Sequence, residues 1–180
     1  MHKKIISYGN LKPQGISTLR AFEKGTIQSL LDKGLALDEA IAQAMAAGKL
    51  RGESRAQNLV VSLGKTLVGT YLRGLATSLV GITYFAIGTG TTTPALADVK
   101  LTTEYFRKAI TFNSMSGNVV TFSTYMLAAE CTVHLKEAGL FGVAASGVAD
   151  SGTLFSHFLQ SFDNSAGEYD LTFEYNLTIG

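Results

Sequence analysis

The spacing of hydrophobic residues changes near residue 82 of this 180-residue chain. Before this point, apolar residues recur every three to four positions, which is typical of helices that bury one side. After it, apolar and polar residues alternate, which is typical of strands with one face on a core. The change predicts an α+β chain, with a helical segment over residues 1–80 and an antiparallel β-sandwich over residues 81–180.

The first part contains two predicted helices. In LALDEAIAQAMAAGKL, Asp38 is a candidate N-cap and Gly48 a candidate C-terminal stop. In SRAQNLVVSLGKTLVGTYLRGL, Ser54 and Gln57 have the spacing of a capping box. Apolar residues follow at steps of four, namely Leu59, Leu63, Leu67 and Tyr71. This stripe predicts an amphipathic helix that packs on its own domain or, alternatively, forms a contact with a second subunit or partner.

The second part contains six segments that are predicted to be strands. They are ITYFAIG, YFRKAITF, NVVTFSTYML, CTVHLKEAGLF, TLFSHFLQSF and EYDLTFEYNLTIG. The SMSGN turn before the third segment predicts a β-hairpin. In the last segment, odd-numbered residues 169–179 are apolar and even-numbered residues 170–178 are polar, which predicts one face on a core and one in water. Helices are not expected between these strands, which favours an antiparallel sandwich over a parallel sheet.

Composition and charge bear mainly on the partners. Hydrophobic residues make up 46% of the chain and charged residues 16%, so apolar surface is expected to remain for protein partners. Basic residues are concentrated in residues 1–75 and acidic ones in 76–180, which predicts contacts between the two parts, within or between subunits. The basic residues do not cluster with aromatics, so nucleic acid is not an expected partner. The most apolar window contains Arg73 and several glycines, and no membrane span is expected.

A Gly-x-Gly loop follows the first predicted strand, where Gly88 and Gly90 precede Pro94. A Walker loop would need a lysine after its last glycine, and a dinucleotide loop would need a third glycine and a helix start. The segment has neither pattern, so no cofactor is expected. The loop is instead predicted to turn the chain after a core strand, with the glycines supplying unusual backbone angles.

The residues that could carry catalysis or bind a metal do not form a known motif. The histidines are His2, His134 and His157. No pair of them has metal-ligand spacing, and the last two are predicted to be solvated on strands. Cys131 is predicted to be a half-buried structural thiol, and Ser146 and Ser151 to be turn serines. The chain is therefore not expected to be an enzyme, and no catalytic, metal or cofactor-binding residue is predicted.

Two charged residues lie beside apolar segments. Arg107 is in a predicted strand next to Phe106, and Glu137 directly precedes the apolar AGLF segment. A charge in such a setting must be paired or hydrogen-bonded. Glu137 is expected to cap turn amides or, alternatively, to pair with Arg107, and both roles are structural.

Four segments resemble, in the same order, a family of tailed-bacteriophage virion proteins. They are YFAIGTGTTTPALADVKLTTEYFRKAITF, GNVVTF, HLKEAGLF and GTLFSHF, and the likeness covers about residues 82–180. It is greatest to the tail-collar fibre and tail-fibre attachment domains, in which a Gly-Thr-Gly loop with a nearby proline precedes a Leu-Glu-Arg segment, a hairpin and a (R/K)E(A/I)GLF element. The matching motif residues are Gly88, Gly90, Pro94, Glu104, Arg107, Glu137 and Gly139.

The resemblance implies a non-enzymatic part of a virion, assembled in the host cytoplasm through its β-domain. Its implied partners are other virion proteins and further copies of itself. The implied place is the tail, collar or baseplate, or the attachment of a fibre. Two alternatives stay open, a capsid decoration protein and a module that binds host glycans. The glycan-binding alternative is less favoured, because sugars usually stack on tryptophan, which the chain lacks.

Overall fold

The structure of the protein is a computed structural model that describes residues 14–72 and 81–179. Within these ranges the chain is mostly β, with ten strands in two five-stranded antiparallel sheets and three helices. The strands are β1 (Gln14–Glu23), β2 (Leu50–Gln57), β3 (Leu59–Val60), β4 (Ile82–Gly88), β5 (Glu104–Ala109), β6 (Phe112–Ser116), β7 (Val119–Met126), β8 (His134–Gly142), β9 (Thr153–Asp163) and β10 (Tyr169–Thr178). The helices are α1 (Thr26–Leu31), α2 (Leu37–Ala46) and α3 (Ser62–Leu72). The strand order is β2-β1-β10-β7-β6 in the first sheet and β3-β9-β8-β4-β5 in the second.

Both sheets contribute to one hydrophobic core. Leu19 and Phe173 come from the first sheet, Phe85 and Phe158 from the second, and all four are buried. The ring centroids of Phe85 and Phe173 are 4.6 Å apart, and those of Phe158 and Tyr175 are 6.0 Å apart. Aromatic pairs at such distances add to the stabilisation that burial of their large apolar surfaces supplies.

Each of the six segments predicted to be strands after residue 82 is at least partly strand. The first matches β4, and the predicted hairpin is formed by β6 and β7 around Gly117. The segment YFRKAITF differs from the prediction, because it is divided between β5 in the second sheet and the start of β6 in the first. The chain therefore passes from one sheet to the other around Ile110.

The last strand, β10, has the predicted apolar face in the core, where Leu171, Phe173 and Tyr175 are buried. Its other face is not entirely in water, because Asp170 and Thr172 are also buried. This part of the prediction is wrong at one end of the strand. Alternation shows which residues share a face, but it does not show whether another element covers the polar one.

Helices α1 and α2 form a second apolar cluster with Phe22 of β1, which lies opposite Asp170 in the sheet. The N-cap of α2 is Ala36, so the prediction of Asp38 as N-cap is wrong. Asp38 lies in the first turn instead, where a carboxylate favours the positive end of the helix dipole. Gly48 follows the end of α2 with a φ of +69°, which confirms it as the C-terminal stop.

The prediction of a helical segment over residues 1–80 is wrong for a large part of the described residues. β1 lies between β10 and β2 in the first sheet, and β3 pairs with β9 in the second. Ser54 and Gln57 lie in β2, so they do not form a capping box. The sequence of β2, LRGESRAQ, has few apolar residues, so its period of two carried no hydrophobic signal. The predicted boundary at residue 80, His2 and Arg73 lie outside the described residues.

The stripe of Leu59, Leu63, Leu67 and Tyr71 is divided between two elements. Leu59 lies on β3, opposite His157, and is not part of a helix. Leu67 packs against the shared core, whereas Leu63 and Tyr71 on the same helix are exposed. The helix therefore combines a contact with its own domain and exposed apolar side chains. Among the described residues, the helices are too short to cross a membrane.

Candidate functional site

Glu137 lies at the centre of a buried polar cluster and is 0% exposed. Its Oε1 accepts hydrogen bonds from the backbone N–H groups of Gly90 at 3.0 Å and Thr103 at 2.7 Å. Its Oε2 accepts one from the N–H of Thr102 at 3.0 Å and lies 2.9 Å from Nε2 of His157. Glu137 thus caps loop amides, one of the two expected arrangements. These four contacts stabilise a charge that would otherwise be costly to bury.

Gly88 and Gly90 leave the space that this carboxylate occupies. A Cβ atom on Gly88 would lie 2.6 Å from Oε1 of Glu137, and one on Gly90 would lie 2.6 Å from Cβ of Thr102. The φ angle is not positive at either glycine, so the expectation of unusual backbone angles is wrong. Close approach is the physical reason for glycine at both positions. The Gly-Thr-Gly loop thus surrounds the protein's own carboxylate and binds it through a backbone N–H.

We expect Gly90→Ala to destabilise the protein by roughly 1–3 kcal/mol, because the new methyl group overlaps with Glu137 and Thr102. The measurement is the melting temperature of the purified variant. Gly69→Ala is the matched control, since a Cβ there meets no atom within 4 Å and Gly69 lies in α3. Alanine is the better helix former, so this control should melt at the same temperature or slightly higher. Equal melting temperatures for Gly90→Ala and the wild type would contradict the close-approach argument.

His157 is 1% exposed, so the prediction that it is solvated is wrong. Its Nδ1 lies 2.7 Å from Oδ2 of Asp98, and its Nε2 faces Glu137. A neutral imidazole has one N–H, so both contacts are hydrogen bonds only when the ring carries two protons or one carboxyl group is protonated. The array Asp98–His157–Glu137 is a continuous chain of polar contacts within the fold. Only its Asp98 end is partly open to solvent, with a side chain that is 26% exposed.

Sequence reasoning missed Asp98 and misplaced His157. The signal available in the sequence was the mainly apolar run TLFSHFL. In the structure, all residues from Leu154 to Phe158 are buried, although they alternate between the two faces of β9. A strand with both faces covered has an almost continuous apolar sequence, and TLFSHFL has this character. The outer face of the second sheet is covered where Leu101 and Val61 pack on Ala86.

Asp98 is held in place by its own turn, since its Oδ2 accepts the N–H of Ala95 at 2.8 Å. Burial by itself would raise the pKa of Asp98, but the hydrogen bonds from Ala95 and His157 outweigh it and lower the pKa below its usual value. A lowered pKa in the folded state means that the charged carboxylate stabilises the protein above the pKa of the unfolded chain. This stabilisation is lost as the pH falls through the pKa of the folded state.

We expect Asp98→Asn to melt below the wild type at neutral pH and to approach it in acid. The physical reason is that protonation removes from the wild type the charge that the variant lacks at every pH. The measurement is the melting temperature of both proteins in a pH series from neutral to about pH 3, which spans the usual titration range of aspartate. A difference in melting temperature that does not change with pH would contradict this role of the Asp98 charge.

Arg107 pairs with Glu104, not with Glu137. The pair is bidentate, with Nε of Arg107 2.5 Å from Oε1 and Nη2 2.6 Å from Oε2 of Glu104. The side chains are only 2% and 3% exposed. The guanidinium also lies 4.3 Å from the ring centroid of Phe141, and its Nη1 donates to the carbonyl oxygen of Ser151 at 2.8 Å. Arg107 therefore joins β5, β8 and the loop before β9.

The loop between β8 and β9 has an unusual backbone that Arg107 helps to hold. Three of its residues other than glycine have positive φ, namely Val143, Ala144 and Asp150. Such conformations are uncommon for L-residues and persist only where the surrounding structure enforces them. The hydroxyl groups of Ser146 and Ser151 lie 3.0 Å apart within this loop, so both are turn serines as predicted.

The remaining motif residues also have structural positions. Gly139 lies on β8, and a Cβ atom there would be 2.7 Å from the carbonyl oxygen of Ser156 on β9. Pro94 is half-buried in the loop after Gly90. Gly88 is the register partner of both Glu104 and Glu137, so the Arg107–Glu104 pair and the polar cluster around Glu137 share one row of the second sheet.

The other candidate side chains lie apart from this row. His134 is exposed as predicted, with Nε2 3.1 Å from Oγ of Ser161. Cys131 is fully buried, not half-buried, and burial raises the pKa of its thiol to about 12. Within the described ranges, no group of three or more His, Cys, Asp or Glu residues is placed to hold a metal ion.

We expect Cys131 to react with a thiol reagent only after unfolding, because the thiolate is the reactive form and burial disfavours it. The measurement is the rate of modification by a chromogenic disulfide reagent in native buffer and in denaturant. Modification in native buffer at the rate of the denatured protein would contradict the burial of this thiol.

An apolar groove of about 400 Å³ is present between α3, the β6–β7 hairpin and the end of β10. We call it the hairpin groove. The residues that line it include Leu67, Tyr71, Met115, Phe122, Leu177 and Ile179. Tyr71 and Met115 are 67% and 68% exposed. Two members of the predicted subunit-contact stripe, Leu67 and Tyr71, therefore belong to this groove.

The chain matches no family model, no curated protein and no solved structure in the comparisons made.

Proposed function

We propose that this protein is a structural component of a tailed-bacteriophage particle. Its proposed place is in the tail, collar or baseplate, or at a fibre attachment. In this role it assembles in the host cytoplasm by contacts with other virion proteins and with copies of itself. It performs no catalysis in the particle.

The observation that carries this proposal is the position of the motif residues. Glu137 is bound by loop amides, Gly88 and Gly90 make room for it, and Arg107 is paired with Glu104. These are the residues on which the resemblance to tail-collar and fibre-attachment domains rests. Their polar atoms are directed at the protein's own backbone and side chains, as expected for residues that shape a scaffold.

We further propose that the two sheets form a β-sandwich. The support is that residues from both sheets belong to one core, including the Phe85 and Phe173 rings at 4.6 Å. In a sandwich the inner faces of two sheets interdigitate in this way. A rigid unit of this kind presents its edges and loops to neighbouring subunits without unfolding.

The hairpin groove supports assembly through protein contacts. Exposed and contiguous apolar surface on a protein often marks an interaction site. The groove brings Tyr71 from α3 together with Met115 from β6, both largely exposed. Leu63 is also exposed on α3, so the predicted subunit-contact stripe retains exposed members in the structure.

The decisive experiment is to locate the chain in particles of the phage that encodes it. Purified particles are analysed by mass spectrometry, and the structure is fitted into a cryo-EM map of head and tail. We expect several copies in the tail, collar or baseplate, in contact with one another. Density on the head surface would show a decoration protein instead, and absence from particles would overturn the proposal. A single copy without contact to its own kind would overturn the self-assembly.

A further inference from the structure

We propose that a second copy of this chain pairs in an antiparallel manner with the outer edge of β6, at the rim of the hairpin groove. This inference rests on the proposed self-assembly and names the surface that carries it. The two copies would be related by a two-fold axis, so that the first sheets of both join through β6.

The four sheet edges differ in how they are protected. β2 has the charged residues Arg51, Glu53 and Arg55 on its exposed positions, and β3 has only two residues. β5 contains Arg107 and Lys108. Charged side chains and short length are devices that prevent edge strands from pairing with other chains.

β6 has neither charge nor proline, and its sequence is FNSMS. Four of its five residues are exposed. Among the described residues, β7 is its strand partner in the first sheet, on one side only. No strand in residues 14–72 or 81–179 pairs with its other side, and the backbone N–H and C=O groups of such an open edge are best satisfied by an extended strand.

The β6 edge and the hairpin groove form one continuous surface. Met115 lies opposite Val120 of β7, and both residues line the groove. A strand added to β6 would extend the first sheet past Met115. Its inward side chains would then lie beside the groove, and the exposed part of Met115 would be covered.

A second copy fits this edge because self-pairing brings no like charges together. Two-fold pairing centred on Ser114 places Asn113 of each copy opposite Met115 of the other, and all these residues are neutral. The same operation on β2, centred on Glu53, would place glutamate opposite glutamate and Arg51 opposite Arg55. Like charges directly opposite one another destabilise a strand pair.

The size of a stable interface indicates that the hairpin groove must contribute to the contact between the two copies. A stable interface buries about 800 Å² on each partner, which a pair of five-residue strands does not reach by itself. The two-fold arrangement centred on Ser114 places Phe112 and Asn113 of each copy opposite Ser116 and Met115 of the other, at the rim of the hairpin groove. The strand pair would set the register, and the groove would supply the apolar burial.

The first test is a disulfide cross-link between Ser114→Cys chains. Directly opposite residues of antiparallel strands have Cα atoms about 4.5–5.5 Å apart, which suits a disulfide bond. The native Cys131 is buried and does not compete. Gln57→Cys is the matched control, because Gln57 is exposed on the charged β2 edge. Melting temperatures confirm that both variants are folded.

Under mild oxidation we expect Ser114→Cys to form a covalent dimer while Gln57→Cys stays monomeric. Adding Met115→Lys to the Ser114→Cys chain should abolish the cross-link, because each copy would then place a charge in the contact beside the apolar groove. Cross-linking of Ser114→Cys no faster than Gln57→Cys would overturn the proposal.

A charge-swap experiment tests the two-fold arrangement. Ser114→Lys and Ser114→Glu should each be monomeric in analytical ultracentrifugation, because identical charges face each other across the axis. An equal mixture of Ser114→Lys and Ser114→Glu should form a heterodimer, because opposite charges then face each other. Unfolded variants would not form this heterodimer. Self-association of either variant at the wild-type level would overturn β6 pairing but would leave the proposed self-assembly standing. Absence of the chain from particles would overturn the proposed function, whatever the cross-link shows.

Discussion

Glu137→Ala is expected to lower the melting temperature of the protein by roughly 10 °C, which corresponds to about 3–5 kcal/mol for a chain of this size. The carboxylate accepts hydrogen bonds from the N–H groups of Gly90, Thr102 and Thr103, and removing it leaves these donors without an acceptor. Unsatisfied buried donors cost more than the hydrogen bonds themselves contribute. His157 loses its Nε2 partner at the same time. The measurement is thermal unfolding followed by circular dichroism.

Two variants sharpen this experiment. Glu168→Ala removes an exposed glutamate and should melt like the wild type. Glu137→Gln retains the shape of the side chain but loses the charge, so its melting temperature should lie between those of Glu137→Ala and the wild type. If Glu137→Ala melts like the wild type but fails to bind a virion partner or a glycan, Glu137 is a recognition residue and its proposed structural role is wrong.

Arg107→Ala is expected to have an effect of similar size, roughly 3–5 kcal/mol, because it leaves the carboxylate of Glu104 buried without its partner. The loop before β9 also loses the hydrogen bond from Arg107 to the carbonyl oxygen of Ser151. We expect a lower melting temperature and faster proteolysis within residues 143–152. Arg55→Ala is the matched control, because its pair with Glu53 is on the surface and its side chain is 67% exposed.

A double-mutant cycle separates the pair from the rest of the site. Removing Glu104 together with Arg107 should cost clearly less than the sum of the two single changes, since no unpaired charge remains. Arg107→Lys should not restore full stability, because a lysine cannot make the bidentate contact or stack on Phe141 in the same way. If the stability losses of the two single variants add up to that of the double variant, Arg107 and Glu104 are not energetically coupled, despite their short contact distances.

Glu137→Ala and Arg107→Ala also bear on the proposed function. A structural part depends on its scaffold for assembly, so both variants should enter particles poorly in proportion to their loss of stability. Variants of the β6 edge are expected to behave differently, because Ser114 is exposed and its replacement should leave the melting temperature unchanged. Stability and assembly can therefore be varied separately in this protein.

The strands after residue 82 could be predicted from the sequence because each has a face that needs a core. In β10, Leu171, Phe173 and Tyr175 alternate with polar residues, and the same three side chains are buried in the structure. β2 could not be predicted, because its exposed charges alternate with half-buried residues that are mostly small or polar. Its place depends on backbone hydrogen bonds to β1, which almost any sequence can make.

The local sequence around Glu137 already indicated that its charge needed a partner, because AGLF is too apolar for a free loop. Which partners it has was decided by the tertiary structure, since Thr103, Thr102 and Gly90 are 34, 35 and 47 residues away in the chain. His157 shows the same limit. Its alternation places it on one face of β9, but only the packing of other elements on the second sheet buries that face and brings Asp98 to its ring. Local patterns determine which side of a strand a residue occupies, whereas the covering of that side depends on contacts between segments distant in sequence.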